Sequence, residues 1–571
     1  MIQIIKLMFP FLRPYMTMAV LSTLCAIPIA GLKAYQAYLV KDVFDKGFSP
    51  DATSQDAMLL AGIIFGIAVV NYPFRFWHFY GMRMVVDLAT CRIRDRIYQK
   101  YQNLSATYFS GAKQGNLLSI MISDTIVFAE SFMAALDILR EPLVAIGLLG
   151  VAFYHDWQLT LIIFLAAPLF IFIISSYGNR IRRFVNLAQE DNAEMTHHVA
   201  EGLIGQKIIK AFNLQKYIIS RFEKEQDKFI GHKTKSNAAE EHSHPMVEIV
   251  GALAFAGIIV FAHHRITSGE LTTGGFVSFV AAMAMFMEPV RRFSKSSAKL
   301  YQARAAAERI FKVLNEPEEV DGGTLELKAF EDKIEVKDMT FSYGEAPVIK
   351  NLDLTIKKGE KVALVGLSGS GKSTLINLLL RLYNIEQGEI LIDGKNIQNY
   401  KLSELRGNFA LVSQDVFLFN DTIRENLRAG NDYSEAQINQ ALEVSYASEF
   451  IKNLPEGIET HIGDRGLKLS GGQAQRLTIA RAFLRDCDIL LFDEATSALD
   501  NESEKIVQKA LDEVANQKTV IAVAHRLSTI QNYDKIVVMK EGRKVQEGTH
   551  AELLAVEGEY KKLYQLSQSD N

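Results

Sequence analysis

Gly366-Leu367-Ser368-Gly369-Ser370-Gly371-Lys372-Ser373 is the stretch that decides how the second half of this chain folds. The apolar run Val362-Ala363-Leu364-Val365 precedes it and reads as a buried strand; residues 374–382 follow it and read as a helix. A glycine-rich turn between strand and helix lets backbone N–H groups face inward, and the helix start adds the positive end of its dipole. The ligand that suits such a turn is phosphate. Gly366, Ser368, Gly369, Ser370, Gly371 and Thr374 supply the cradle, Lys372 reaches for β- and γ-phosphates, and Ser373 is placed to bind Mg²⁺. The pattern predicts that a nucleoside triphosphate binds here.

Two further motifs lie downstream. Ile489-Leu490-Leu491-Phe492 reads as a second buried strand and runs into Asp493-Glu494. A carboxylate at such a strand end can hold a magnesium shell; the next one points elsewhere and can polarise an attacking water. Leu469-Ser470-Gly471-Gly472-Gln473 offers a hydroxyl and two glycine amides at the start of a helix. Taken alone, it reads either as a second anion site or as an ordinary helix cap.

The chain has 571 residues, too many for one ordinary core, so at least two domains are expected. Hydrophobic residues make up 49% of the chain and crowd its first half, which points to membrane spans. The net charge of -4 gives no support to a nucleic-acid partner. Cys25, Cys91 and Cys487 lie far apart, against a disulfide framework or a cysteine metal site. Arg13-Pro14 interrupts the early apolar run, so a cleaved signal is not expected and the first span is retained.

Six spans are expected, near residues 15–40, 57–80, 136–154, 157–177, 246–263 and 274–289. Lys33 interrupts the first, Arg75 the second, and Asp137, Arg140 and Glu141 the start of the third. Charge at such depth faces a wet cavity or a partner, so Lys33, Arg75 and Arg140 are candidate substrate contacts. The alternative for each is a structural ion pair, such as Arg140 with Asp137 or Glu141. Basic residues at one set of span ends (Lys6, Arg13, Arg83, Arg92, Arg94, Arg180, Arg182, Arg183, Arg291, Arg292) place both termini in the cytoplasm. Residues 82–130 and 178–245 read as spans continuing as helices, turning near 105–114 and 205–215 with short crossing helices. After Asn315-Glu316-Pro317 the composition changes, giving a helical membrane domain over 1–315 and an α/β domain with a mainly parallel sheet over 316–571.

With these motifs in order, the chain resembles the ATP-binding cassette transporter family over essentially its whole length. The resemblance implies ATP and Mg²⁺ as ligands and a six-helix membrane domain of the exporter type. It implies residue roles as well. Gln414, in Val412-Ser413-Gln414-Asp415, matches the glutamine that senses magnesium and the membrane domain. Ser470, Gly471, Gly472 and Gln473 match the signature that closes over nucleotide. Ser497-Ala498-Leu499-Asp500 matches the loop linking the two composite sites, and His525 the histidine that contacts the γ-phosphate. Tyr343 matches the aromatic that stacks on adenine. Gly463-Asp464-Arg465-Gly466 looks like the segment by which exporters touch the intracellular helices. At Ala474 this chain departs from the pattern, where a basic residue often follows the signature. One cassette per chain implies a homodimer with two equivalent composite sites, Glu494 acting as the base in each.

Within the exporters the chain resembles the bacterial lipid A flippase subfamily, on Lys41–Phe48 (KDVFDKGF), Leu139-Arg140-Glu141, Phe153–Leu159 (FYHDWQL) and Val412–Thr422 (VSQDVFLFNDT). The implied function is ATP-driven export of a lipid or lipid-linked glycan, lipid A-core first, across the bacterial inner membrane. The alternative is a polyspecific multidrug exporter. A soluble cassette ATPase acting on DNA or ribosomes is disfavoured by six spans with one consistently basic side.

Overall fold

The computed structural model describes residues 9–50, 52–344, 346–496, 500–524 and 526–569. These divide into two compact units, one of residues up to Gln99 with Gly115–Asn315, the other of Lys100–Gln114 with Glu316 onward.

The first unit is helical: α1 (Met16–Leu24), α2 (Ala26–Asp42), α3 (Ser54–Asn103), α4 (Thr125–His155), α5 (Trp157–Ile204), α6 (Gln215–Thr267) and α7 (Thr273–Asn315). The 50 residues of α3 make a rod of about 75 Å at 1.5 Å per residue, far longer than a ~30 Å hydrocarbon layer. The helices therefore do run on past their apolar segments. The turns carry the short helices expected of them, Ala106–Gly111 and Gln206–Ala211.

Among the described residues five helices are long and apolar enough to cross a membrane: Phe9–Gly47, Ser54–Asn103, Trp157–Ile204, Gln215–Thr267 and Thr273–Asn315. The remaining expected span falls in α4, which is absent from that set, so the count of six is approximate. Asp137, Arg140 and Glu141 all lie in that helix. α4 packs along α7, α5 along α6, and α2 against both α4 and α7. Alanines keep these contacts close: Ala30, Ala37, Ala152, Ala262 and Ala282 join Val144, Leu148, Leu159 and Phe279 in one buried cluster. Many large apolar side chains instead face outward, Phe65 (71% exposed), Leu165 (83%) and Val260 (73%) among them. A greasy exterior on long helices marks a multi-pass membrane protein.

The second unit holds two sheets. Four of the first five strands, β1 (Lys333–Ser342), β2 (Pro347–Lys357), β4 (Gln387–Ile392) and β5 (Lys395–Asn396), form an antiparallel sheet in the order β2-β1-β4-β5. The other sheet has the order β10-β9-β3-β8-β7-β6, from β3 (Lys361–Val365), β6 (Phe409–Val412), β7 (Ile489–Asp493), β8 (Thr519–Val523), β9 (Lys535–Lys540) and β10 (Arg543–Gly548). All its pairings are parallel except β9 with β10. β8 is buried along its whole length, as a strand covered on both faces should be. The register sets the site. Leu364 pairs with Val523, and Val523 with Asp493, so the chain leaves β3 and β7 at the same level of the same sheet edge. Ligands of open α/β sheets bind beyond the carboxyl ends of such strands.

Candidate nucleotide site and membrane cavity

The glycine loop leaves β3 at Val365 and enters helix α8 (Lys372–Leu379). Its last residue, Gly371, caps α8 at φ +97°, a backbone conformation that L side chains rarely adopt. The Lys372 ammonium is buried and folds back over the loop, donating to the carbonyls of Gly366 (2.9 Å) and Leu367 (3.0 Å). Burial lowers its pKa, while Glu494 and Asp493 pull it up. Ser373 donates to Asp493 over 2.7 Å. Burial raises the Asp493 carboxyl above the ordinary carboxylate range, against the hydrogen bond from Ser373.

Glu494 follows with φ +50°, an uncommon left-handed value for a residue other than glycine, and its N–H extends the ladder to the carbonyl of Val523. This turn sends Glu494 in a different direction from Asp493. Glu494 shares a cavity of about 520 Å³ with Gln414, Gly471 and Arg465. Tyr343 is half exposed, packs edge-on against Phe341 and Tyr383, and donates to Thr374 over 3.4 Å. The expected phosphate residues, magnesium residues and Tyr343 are thus gathered around one end of β3 and β7. His525 and residues 497–499 of the expected linking loop lie outside the described residues.

Ser470 caps helix α9 (Gly471–Leu484), accepting from the N–H of Gln473, while the Gln473 side chain accepts from the N–H of Ser470. The helix-cap reading of this segment is therefore realised in the chain. Gly472 is small for a packing reason: a Cβ there would lie 2.8 Å from the Cβ of Ser503, on helix α10 (Asn501–Val514). Asp500 caps α10 by accepting from Ser503 N–H, which lowers its pKa. Sequence reasoning missed Gln475, two residues past the signature: it is buried and donates to the carbonyl of Ser413 over 3.2 Å, tying α9 to the residue before Gln414. Its position on a helix beside a recognised motif was the available signal. Ala474 is buried in the core beneath α9.

In the membrane unit, Lys33, Arg75 and Arg140 come from three different helices and line one cavity of about 180 Å³. Arg292 joins them, and only two carboxylates, Glu141 and Glu288, share the lining, so cations are in excess. Lys33 pairs with Glu288 at 2.8 Å, as does Arg292 at 2.6 Å. Arg140 is buried and pairs with Glu141 and, at 2.9 Å, with Asp137. The structural ion pair considered for Arg140 is present, and it sits in the cavity wall. Arg75 has no carboxylate within 4 Å among the described residues. Glu288 was not singled out from the sequence, although an acid inside Met285-Phe286-Met287-Glu288-Pro289 is as conspicuous as Lys33.

Residues 19–290 match the model of the ABC transporter transmembrane region, and residues 349–497 that of the ABC transporter cassette. The chain is 37% identical to a protein of Desulfotalea psychrophila over 99% of each, 36% to one of Vibrio cholerae (99% of this chain, 98% of that one), and 38% to one of Dechloromonas aromatica (98% and 97%). This chain belongs to the ATP-binding cassette transporter family. The three relatives each bear the name ATP-dependent lipid A-core flippase. The fold is that of a solved bacterial Atm1-family ABC exporter with ATP bound, at a TM-score of 0.77 and 24% identity over 97% of this chain and 98% of that one. As a member of the family the chain binds ATP and couples its hydrolysis to transport.

Proposed function

We propose that this chain flips lipid A-core, or a closely similar phosphate-bearing lipid, across the bacterial inner membrane at the expense of ATP. In this reading it works as a homodimer, with both termini in the cytoplasm. The observation that carries it is the cation-rich cavity inside the apolar unit, in a chain whose full-length relatives carry the flippase name. An acidic head group entering apolar surroundings needs fixed cations, and Lys33, Arg75 and Arg140 supply them on three converging helices. Glu288 holds Lys33 and Glu141 holds Arg140, and an incoming phosphate would compete for these two cations.

The cassette's own residues take the roles of a phosphoryl-transfer site. Lys372 and the loop amides hold the phosphates; Tyr343 stacks on the base. Hydroxyl and carboxylate oxygens at Ser373 and Asp493, with the Gln414 carbonyl, form a donor set suited to Mg²⁺. When bound, that ion neutralises charge on the β- and γ-phosphates. Glu494 orients and deprotonates the water, and His525 contacts the γ-phosphate. Ser470, Gly471, Gly472 and Gln473 of one copy close over nucleotide held by the other, with Asp500 in the linking loop. Both halves of this composite site are intact in the one chain, which favours two identical copies. ATP binding then biases the dimer towards the closed state and hydrolysis resets it.

The test is ATPase activity of the purified chain in mild detergent, titrated with lipid A and with a panel of amphipathic drugs. Stimulation by lipid A alone is the expected result. Stimulation by the drugs and indifference to lipid A would establish the multidrug alternative.

A further inference from the structure

Arg140 is held on one side by a residue that no motif marks. His78 is buried in α3, and its two ring nitrogens face different helices. Nδ1 lies 2.7 Å from the carbonyl oxygen of Ser22 on α1, and Nε2 lies 2.9 Å from the Arg140 guanidinium on α4. A guanidinium has only donors, so Nε2 must present its lone pair. The ring proton then sits on Nδ1, where the Ser22 carbonyl accepts it. The two contacts fix a single neutral tautomer.

The surroundings are built for this contact. Gly81, one turn beyond His78, faces Ser22, and a Cβ there would run into the Ser22 hydroxyl. The missing side chain is what lets α3 approach α1 closely enough for His78 to reach the carbonyl. Arg140 packs over the Phe79 ring at 5.0 Å, and Glu141 and Asp137 take other donors of the same guanidinium. Carboxylates alone would let the guanidinium swing towards them. An acceptor on the opposite helix opposes that pull and keeps it at the cavity wall.

We propose that His78 is a positioning residue: its neutral Nδ1–H form aims Arg140 into the cavity for an anionic head group. The inference rests on the reading of that cavity as the lipid site. Asparagine and glutamine separate the two ring contacts. His78→Gln places its amide oxygen near Nε2 and can still accept from Arg140; His78→Asn places its amide near Nδ1 and can still donate to Ser22. His78→Phe keeps the volume and loses both.

The experiment measures lipid A-stimulated ATPase of the full-length variants, separating half-saturating lipid from maximal rate, with monodispersity and thermal stability checked for each. His78→Gln is expected within ~3-fold of the parent in half-saturating lipid. His78→Asn and His78→Phe are expected to need about tenfold more, with maximal rates within ~2-fold, as for the loss of one hydrogen bond to a charged group. Recovery by Asn and not by Gln would make His78 a structural pin and overturn the inference. So would three variants that all match a responsive parent. A parent indifferent to lipid A overturns the cavity reading, and this inference with it.

Discussion

Ser373 and Asp493 lie 120 residues apart and share a 2.7 Å hydrogen bond at the mouth of the nucleotide site. The bond joins the start of α8 to the end of β7. Burial raises the Asp493 pKa, and this bond works against that rise. Because the folded state raises this pKa, the carboxyl favours folding when protonated, and that contribution is lost as pH rises through the folded value. Asp493→Asn removes the charge and keeps an acceptor for Ser373. Without nucleotide at neutral pH it is expected to raise the apparent Tm by ~2–3 °C. The gain should shrink as pH falls through the raised Asp493 value, while the variant's ATPase activity at neutral pH is expected to be at least ~100-fold below the parent's. A variant less stable than the parent at neutral pH would contradict the assignment.

Glu494 sits in a left-handed conformation immediately after Asp493, and strain of that kind persists where a side chain must be aimed. Glu494→Gln is expected to bind ATP within about threefold of the parent and to lose 10²- to 10⁴-fold in turnover, roughly the worth of a general base. The checks are equilibrium nucleotide binding and steady-state phosphate release. Parental turnover would remove Glu494 from the chemistry.

Gly472 packs against Ser503, and a Cβ there would sit 2.8 Å from the Ser503 Cβ. Gly472→Ala should therefore destabilise the cassette by about 1–3 kcal/mol through overpacking. Adding Ser503→Gly should recover much of the loss, a coupling that thermal unfolding of the two single variants and the double variant would reveal. Equal melting of Gly472→Ala and the parent would show that the two helices can separate at no cost.

Lys33 and Glu288 form an ion pair across the cavity wall at 2.8 Å. Lys33→Ala is expected to raise the lipid A concentration for half-maximal ATPase stimulation by about tenfold, the loss of one charge-assisted contact. Glu288→Gln, which frees Lys33, should lower it. Both variants moving in the same direction would mean that the pair only holds the helices together.

The nucleotide site was legible because its chemistry is written in contiguous runs. Gly366–Ser373 and Asp493-Glu494 each carry their own strand context, so their meeting at one sheet edge follows from the α/β pattern. Most spans were legible from apolar length alone. α4 was harder, since Asp137, Arg140 and Glu141 interrupt its apolar run, the last two of them lining the cavity. The partners of those charges were not readable. Glu288 meets Lys33 across 255 residues, and His78 matters only because Gly81 brings its helix against Ser22. Helix-to-helix register is set by packing, which periodicity along one helix does not encode. Nor does the sequence show that residues 100–114 group with the second unit.

The most direct test is transbilayer movement of lipid A-core in proteoliposomes containing only the purified chain, with the Glu494→Gln variant alongside. The account predicts ATP-dependent movement by the parent and none above background by the variant. Movement at the same rate in both, or none in the parent while its ATPase runs, would contradict it.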